Sequence, residues 1–188
     1  DWHAAVAQLK YVCEVHIVSV GGECKELLLV MQRHRDEQPL QLYAVNDGKV
    51  FTCSAEEAQK RTPLLQTSTF GYLFEPHASL MKAGCFAALS ARYGVKGLAT
   101  NTHLFAAMTP VNDFPGRQFR VLAVTPFSKK SLRSALHGIE KANLAVRNFP
   151  LSVVELRKRL KLKEGGEHYL FATTIGTMHA LIICKKIV

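Results

Sequence analysis

Apolar and polar residues alternate along the first third of the chain. The alternation is clearest over residues 12–20, where a period of two predicts a half-buried strand. Apolar segments at 25–31 and 40–45 predict two more strands, and the Asn46-Asp47-Gly48 turn leads into a further extended segment at 50–51. Because no long helix separates these strands, the pattern favours the antiparallel edge of a sheet over β-α-β repeats.

The middle of the chain changes to a helical period. Residues 54–71 are polar, lack a clear periodicity and are predicted to form a linker. A new unit begins at 72–76, where we expect Pro76 in the first turn of a helix, a position at which its missing N–H costs little. Apolar residues then recur at helical spacing as far as Tyr93, and Gly94 is a suitable stop.

The last third of the chain alternates between the strand period of two and the helical period. Strands are predicted at 119–127 and 144–147, with a helix at 129–143 between them. Ser152 and Glu155 have the spacing of a capping box, so a second helix should begin at Ser152. A hairpin about Gly176-Thr177 should join strands 169–175 and 179–187. The resulting order, β-α-β-α-β-β, predicts a two-layer α/β sandwich with both helices on one sheet face.

Several of these segments carry motifs of a known group of proteins. The strand pair with Glu14-Val15-His16-Ile17-Val18-Ser19-Val20 and Glu23-Cys24-Lys25-Glu26-Leu27-Leu28-Leu29 resembles the last strands of a class I S-adenosylmethionine-dependent methyltransferase. Tyr72-Leu73-Phe74-Glu75-Pro76, Met81-Lys82-Ala83-Gly84 and Asp113-Phe114-Pro115-Gly116-Arg117 resemble the ferredoxin-like segment that follows in one bacterial group.

The longest motif lies nearest the end of the chain. Arg147-Asn148-Phe149-Pro150-Leu151-Ser152 leads into Leu156-Arg157-Lys158-Arg159-Leu160-Lys161-Leu162, and Tyr169-Leu170-Phe171-Ala172-Thr173-Thr174 follows. Together they resemble the THUMP-like domain that closes these bacterial proteins. The resemblance implies four regions: the edge of a methyltransferase sheet (1–53), a linker (54–71), a ferredoxin-like segment (72–118) and a THUMP-like domain (119–188).

The resemblance also implies which parts of the enzyme lie elsewhere. None of the 12 glycines forms a Gly-x-Gly, and no Asp-Pro-Pro-Tyr-like motif for a target base is present. The chain begins at Asp1 without a Met, so we expect it to be cut from a longer protein whose upstream methyltransferase domain holds S-adenosylmethionine. We therefore expect no catalytic residues, no cofactor-binding residues and no catalysis in this chain alone.

Positive charge is concentrated after residue 127. Residues 128–188 hold 12 Lys and Arg against 4 Asp and Glu, whereas residues 1–127 hold 12 against 11. Such a concentration favours polyanions, because each neutralised phosphate releases condensed counterions. The candidate RNA-binding residues are the basic residues of the two helices and their flanks: Lys129, Lys130, Arg133, Arg147, Arg157, Lys158, Arg159, Lys161 and Lys163.

The second helix shows how this surface could form. Val153, Leu156 and Leu160 fall on one side at about 100° per residue, so Lys158 and Arg159 should face solvent, while the stem of Arg157 packs beside the apolar stripe. No base-reading motif is present, so we expect recognition of structured RNA, tRNA being one example, by shape and backbone. The alternative is a structural or protein-interaction module whose basic face binds an acidic protein.

Other residues give weaker signals. The five cysteines lack a Cys-x-x-Cys pair, which disfavours a metal site and favours buried free thiols in the cytoplasm. No apolar run reaches the ~20 residues that span a bilayer, so no membrane partner is expected. Glu75 and Asp113 lie beside proline turns, where capping or turn bonding accounts for them. Phe149 is interpreted as a core residue in preference to a stacking surface.

Overall fold

The computed structural model describes residues 1–33 and 38–187, so residues 34–37 of the predicted 1–53 region, and residue 188, lie outside the described part. The described chain divides into two units. Unit 1 comprises residues 1–63 and 76–94, and unit 2 comprises residues 64–75 and 95–188. The predicted ferredoxin-like segment (72–118) therefore contributes residues to both units, while the predicted domain boundaries stay predictions.

Unit 1 is built on a four-stranded sheet. Its strands are β1 (Val12–Val20), β2 (Glu23–Met31), β3 (Gln41–Asn46) and β4 (Lys49–Ser54), in the order β2-β1-β3-β4. Its helices are α1 (Trp2–Gln8), α2 (Ala55–Gln59), α3 (Ala78–Ala83) and α4 (Phe86–Tyr93). Helix α2 lies within the predicted linker, where Ser54 and Glu57 form a capping box over a helix too short to show a period.

The pairing in this sheet is mixed. Strands β1 and β2 are antiparallel, as are β3 and β4, but β1 and β3 run parallel, with Ile17 opposite Ala44. The prediction of an antiparallel edge was therefore wrong for one of three pairs. The physical reason lies in the path of the chain. Strand β2 ends beside the first residue of β1, so β3 also begins at that end of the sheet and runs in the same direction as β1.

The core of unit 1 lies on one face of β1. Val15 and Ile17 are fully buried there, and Trp2 packs at the same core with its indole Nε1–H donating to the Ala83 carbonyl at 3.2 Å. Helix α3 begins after β5 (Tyr72–Pro76), not at its last residue, so the placement of Pro76 in a helix was wrong. His77 caps α3 by accepting from the Leu80 N–H, and Pro76 ends the strand, where its missing N–H is tolerated.

Two cysteines of unit 1 correct a second prediction. Cys53 and Cys85 form a disulfide, so they are not free thiols. Cys24 is exposed and Cys13 is half-buried, and Cys184 of unit 2 is the one free cysteine that the described structure buries fully. Burial raises the pKa of the Cys184 thiol. Spacing alone could not reveal the pair, because 32 residues separate its members and the fold brings them together.

Unit 2 contains a seven-stranded sheet with the order β6-β7-β5-β8-β11-β10-β9. The strands not yet given are β6 (Lys96–Gly97), β7 (Phe105–Ala107), β8 (Gly116–Pro126), β9 (Asn143–Arg147), β10 (His168–Ile175) and β11 (Met178–Lys186). The helices are α5 (Lys129–Ala135) and α6 (Val153–Leu160). The order from β8 onward is β-α-β-α-β-β, which confirms the predicted sandwich and its α/β class.

Both faces of β10 and β11 are buried. Leu170, Ala172 and Leu181 pack with the buried Leu132 of α5 and Leu156 of α6. The alternate residues, among them Phe171, Ile182 and Cys184, pack on the other face with the buried Leu73 and Phe119. A strand covered on both faces is apolar at every position, which is the pattern of residues 180–184.

Helix α5 is shorter than predicted. It ends at Ala135 instead of Asn143, because Gly138 adopts a φ of 80° and Lys141 forms a parallel bridge with Lys163 ahead of β9. A φ in this range is open to glycine without strain and incompatible with a continuing helix. The residues beyond the turn therefore belong to the sheet.

Candidate nucleic-acid interface

Helix α5 holds three of the predicted cations. Ser128 caps it, its Oγ accepting from the Ser131 N–H at 3.3 Å. Leu132 is buried against the sheet, and this fixes the rotation of the helix. Lys129, Lys130 and Arg133 are left exposed.

Helix α6 begins with the predicted capping box. The Ser152 Oγ accepts from the Glu155 N–H at 3.3 Å, and the Ser152 N–H donates to the Glu155 carboxylate at 2.8 Å. The hydrogen bonds from Ser152 lower the pKa of Glu155, so the Glu155 carboxylate is ionised at neutral pH. Leu156 is fully buried, whereas Val153 is 38% exposed, so the apolar stripe is narrower than predicted.

The two helices border a groove of about 390 Å³. Three cations and three leucines line it: Lys129, Arg133, Arg159, Leu132, Leu136 and Leu160. The Arg159 guanidinium lies 5.1 Å from the centre of the Phe127 ring, a cation–π contact that orients it. A second, more open hollow adjoins α5 and is lined by Lys129, Lys130, Arg133, Ser134 and His137. We call the surface formed by Lys129, Lys130, Arg133 and Arg159 the basic face.

Three more predicted residues lie near the end of α6. Lys158 is exposed, as its helical position predicts. Lys161 ends the helix with a φ of 56°, and its side chain is exposed. Lys163 is exposed as well. Its backbone N–H donates to the Glu140 carbonyl, and its carbonyl accepts from the Ala142 N–H. These residues extend the positive charge beyond the groove.

The remaining two candidates contact acids or carbonyls. Arg157 is 24% exposed, and it donates to the Ala142 carbonyl at 3.3 Å and lies 4.0 Å from Glu164. Its stem is therefore packed, as expected. Arg147 donates to the Glu75 carboxylate at 2.8 Å. Neither side chain lines the groove.

Glu75 is a residue whose role the sequence did not reveal. Capping or turn bonding was expected, but the carboxylate is 3% exposed and accepts from both Arg117 and Arg147. The partners are 42 and 72 residues away, so no local pattern contains them. A glutamate in the otherwise apolar strand β5 was the available signal, because a carboxylate that such a strand buries needs cationic partners.

Phe149 has the predicted core role. It packs edge-on to Phe127, with ring centres 4.7 Å apart, and edge-on to His179 at 5.1 Å. The ring is half-buried and contributes to the core beneath the helices. It therefore fixes the loop between β9 and α6.

The paired glycines Gly21 and Gly22 lie in a β-hairpin. A class I enzyme binds S-adenosylmethionine at a glycine-rich turn between a strand and a helix, whereas Gly21-Gly22 joins the antiparallel strands β1 and β2. Within residues 1–33 and 38–187, no three His, Cys, Asp or Glu side chains are placed to hold a metal ion. No helix in that part of the chain is long and apolar enough to cross a membrane.

Comparison with known families agrees with the fold. Residues 116–186 match the family described as THUMP domain-like, and residues 72–115 match the family described as a ferredoxin-like domain. The chain therefore carries a ferredoxin-like domain followed by a THUMP-like domain, which confirms these two parts of the resemblance. The resemblance of residues 14–29 to methyltransferase strands stays a prediction. A search of curated proteins found no match.

A solved structure resembles nearly the whole chain. It is described as the crystal structure of a "putative methyltransferase" from Porphyromonas gingivalis W83. The two chains are 33% identical, with a TM-score of 0.89 over 98% of this chain and 48% of the other. This chain thus spans about half the length of the protein it resembles.

Proposed function

We propose that this chain is the substrate-binding C-terminal region of an S-adenosylmethionine-dependent RNA methyltransferase. The observation that carries the proposal is the basic face, which lies on the helical layer of a THUMP-like domain. THUMP-like domains are generally RNA-binding. The likeness to a chain described as a "putative methyltransferase" from Porphyromonas gingivalis W83 supports the proposed parent activity.

The groove geometry suits a phosphate backbone. Lys129, Arg133 and Arg159 surround a leucine floor, so cations stand at the rim and are not buried in pairs with acids. Lys and Arg at such positions fix the register of a nucleic acid through its phosphates without reading sequence. We propose structured RNA, such as tRNA, as the partner. The role of the region is to hold the RNA at a set distance from a catalytic domain upstream.

Strand β2 supports the proposed upstream domain. It is an edge strand among the described residues, and its successive side chains Leu27 and Leu28 are 40% and 50% exposed. Neighbours in a strand point to opposite faces, so β2 presents apolar groups on both. That pattern is typical of an interior strand covered on both sides. We propose that the sheet of a methyltransferase domain in the same protein continues at β2.

The RNA proposal is tested by charge reversal. In the double variant Lys158→Glu and Arg159→Glu, folded tRNA should bind at least about tenfold more weakly, since several phosphate contacts are lost or reversed. Binding is measured by fluorescence anisotropy over a series of salt concentrations. Wild type should show a steep loss of affinity with salt and a preference for folded over single-stranded RNA.

The double variant Lys49→Glu and Arg61→Glu is the matched control, because it reverses an exposed lysine and an exposed arginine of unit 1. Equal affinity of the wild type and the Lys158→Glu and Arg159→Glu variant would overturn the proposal. The protein-interaction alternative predicts instead that an acidic polypeptide displaces the RNA at low concentration.

A further inference from the structure

The carboxylate of Glu75 in unit 2 holds two arginines at once. Its Oε2 accepts from Arg117 Nε at 2.8 Å and from Arg117 Nη2, and its Oε1 accepts from Arg147 Nη2 at 2.8 Å. Two cations thus share one buried anion. The cluster keeps an excess positive charge after its internal pairing is satisfied.

The position of the cluster shows that it closes a curled sheet. Glu75 lies on β5 and Arg147 on β9, four places apart in the strand order. Four flat strand spacings would separate them by about 19 Å, which is beyond the reach of two side chains. The sheet therefore curls around the core that includes Leu73, Phe119 and Phe171, and the ion cluster joins β5 to the edge strand β9.

Surrounding contacts hold the arginines in place. The Arg117 guanidinium lies 5.6 Å from the centre of the buried Phe119 ring, and Arg147 also donates to the Val146 carbonyl at 3.0 Å. The next residue, Asn148, donates to the Thr100 carbonyl at 3.2 Å and accepts from Thr174 Oγ1 at 2.6 Å. The guanidinium groups are therefore preorganised before any ligand arrives.

Both arginines remain accessible. The Arg117 side chain is 49% exposed and the Arg147 side chain 36%, although their shared carboxylate is 3% exposed. A guanidinium has five N–H donors, and the contacts above use two from each residue. Each guanidinium therefore keeps three N–H donors beyond these contacts.

Backbone conformation marks the same region. His103 and Asn148, which lie beside Arg147, adopt left-handed φ values of 55° and 49°. Such conformations cost energy and concentrate at ligand-binding sites. Burial and the nearby Arg147 lower the pKa of His103, so its imidazole stays neutral at pH 7.

We propose that Arg117 and Arg147, aligned by the buried Glu75, form a binding site for a phosphate group. Planar guanidinium groups match the oxygens of a phosphate through paired hydrogen bonds. The excess charge of the cluster favours an anion, and the fixed side chains lose little entropy on binding it. The site contains no residue of the basic face. It includes Arg147, which is one of the nine candidate RNA-binding residues, so the test below distinguishes RNA from a small phosphorylated ligand.

A titration with sodium phosphate tests the site. In the 188-residue chain labelled with ¹⁵N, the Nε–H signals of Arg117 and Arg147 should shift saturably with phosphate, and not with chloride at equal ionic strength. Arg117→Gln should weaken phosphate binding at least about tenfold. Its fold should persist, because Arg147 still pairs with Glu75. Arg117→Lys keeps the charge but loses the planar fork, so it should restore only part of the affinity.

Arg120→Gln, at an exposed arginine on the same strand β8, is the matched control and should leave phosphate binding unchanged. Shifts that do not saturate, or equal affinity in Arg117→Gln with an intact circular dichroism spectrum, would overturn the proposal and leave the cluster with its role in closing the sheet. Folded tRNA added without phosphate identifies the source of the ligand. If tRNA shifts the same two signals, the phosphate belongs to RNA. If only free phosphate does so, the ligand is a small phosphorylated molecule.

Discussion

The second strands of two hairpins in this protein differ in how far the described chain covers them. The β1–β2 hairpin and the β10–β11 hairpin are both antiparallel and rich in aliphatic residues. Leu181 and Ile182 of β11 are fully buried on opposite faces, whereas Leu27 and Leu28 of β2 are 40% and 50% exposed. A hydrophobic pattern thus specifies a strand without specifying whether the same chain supplies its cover.

The difference between the hairpins shows that the two units differ in how much of their sheet their own residues cover. In unit 2, helices α5 and α6 cover one face of β10 and β11, and a second apolar cluster covers the other. In unit 1, β2 has β1 as its strand partner within the described residues and leaves apolar side chains on both faces in solvent. Residues of unit 2 itself bury both faces of β10 and β11, whereas β2 has apolar side chains that residues outside the described chain could bury.

Truncation of one leucine in each hairpin should give the largest difference. Leu181→Ala removes a fully buried side chain and should lower the free energy of unfolding by about 2–5 kcal/mol. Leu28→Ala removes a half-exposed side chain and should cost under about 1 kcal/mol in this chain. Urea denaturation of both variants measures the two values. Similar losses would show that β2 is covered in solution.

The next effect in size is the dependence of stability on pH through His77 of unit 1. Desolvation is the main cause that lowers the pKa of His77 in unit 1 to about 4, from an ordinary value near 6.5. Between these values the unfolded chain binds a proton that the folded chain does not, so this stability is complete above about pH 6.5 and is lost as the pH falls toward about 4.

Replacement of His77 tests this dependence. In His77→Asn, a residue that can still cap α3, the loss of stability between pH 6.5 and pH 4 should be smaller than in wild type. Urea denaturation across this range gives the comparison. Parallel profiles for wild type and variant would mean that His77 does not contribute to the acid sensitivity.

The two capping boxes should give the smallest difference. Ser152→Ala should cost about 1 kcal/mol, because α6 anchors the buried Leu156 in the core. Ser54→Ala should cost only a few tenths of that value, because α2 has five residues and buries none. Thermal unfolding of the two variants measures the ranking. A larger loss for Ser54→Ala would contradict the view that packing sets the value of a cap.

Local patterns predicted the elements that local interactions determine. The strand at 12–20, the capping box at Ser152 and the hairpin about Gly176 were all predicted, since each depends on residues close in sequence. The predicted length of α5 was wrong, because the turn at Gly138 ends the helix although the helical pattern of apolar residues continues beyond it. The parallel pairing of β1 with β3 depends on where the chain returns, which periodicity does not encode.

The features of the candidate site also divide into those that local sequence predicts and those that depend on the fold. Exposure of Lys158 and Arg159 followed from their angle on α6, and their presence in a basic region followed from counting charges. The groove between α5 and α6 required the relative placement of two helices. The pairing of Arg147 with Glu75 required the sheet to curl, and neither residue gives a local sign of it.

The central claim is that the basic face of unit 2 binds structured RNA. The most direct measurement is the map of backbone amide shifts when folded tRNA is added to the ¹⁵N-labelled chain at low salt. The claim predicts shifts concentrated in residues 129–137 and 152–163, with residues 12–31 of the exposed hairpin unchanged. Shifts centred on residues 12–31, or no shifts at saturating RNA, would contradict it.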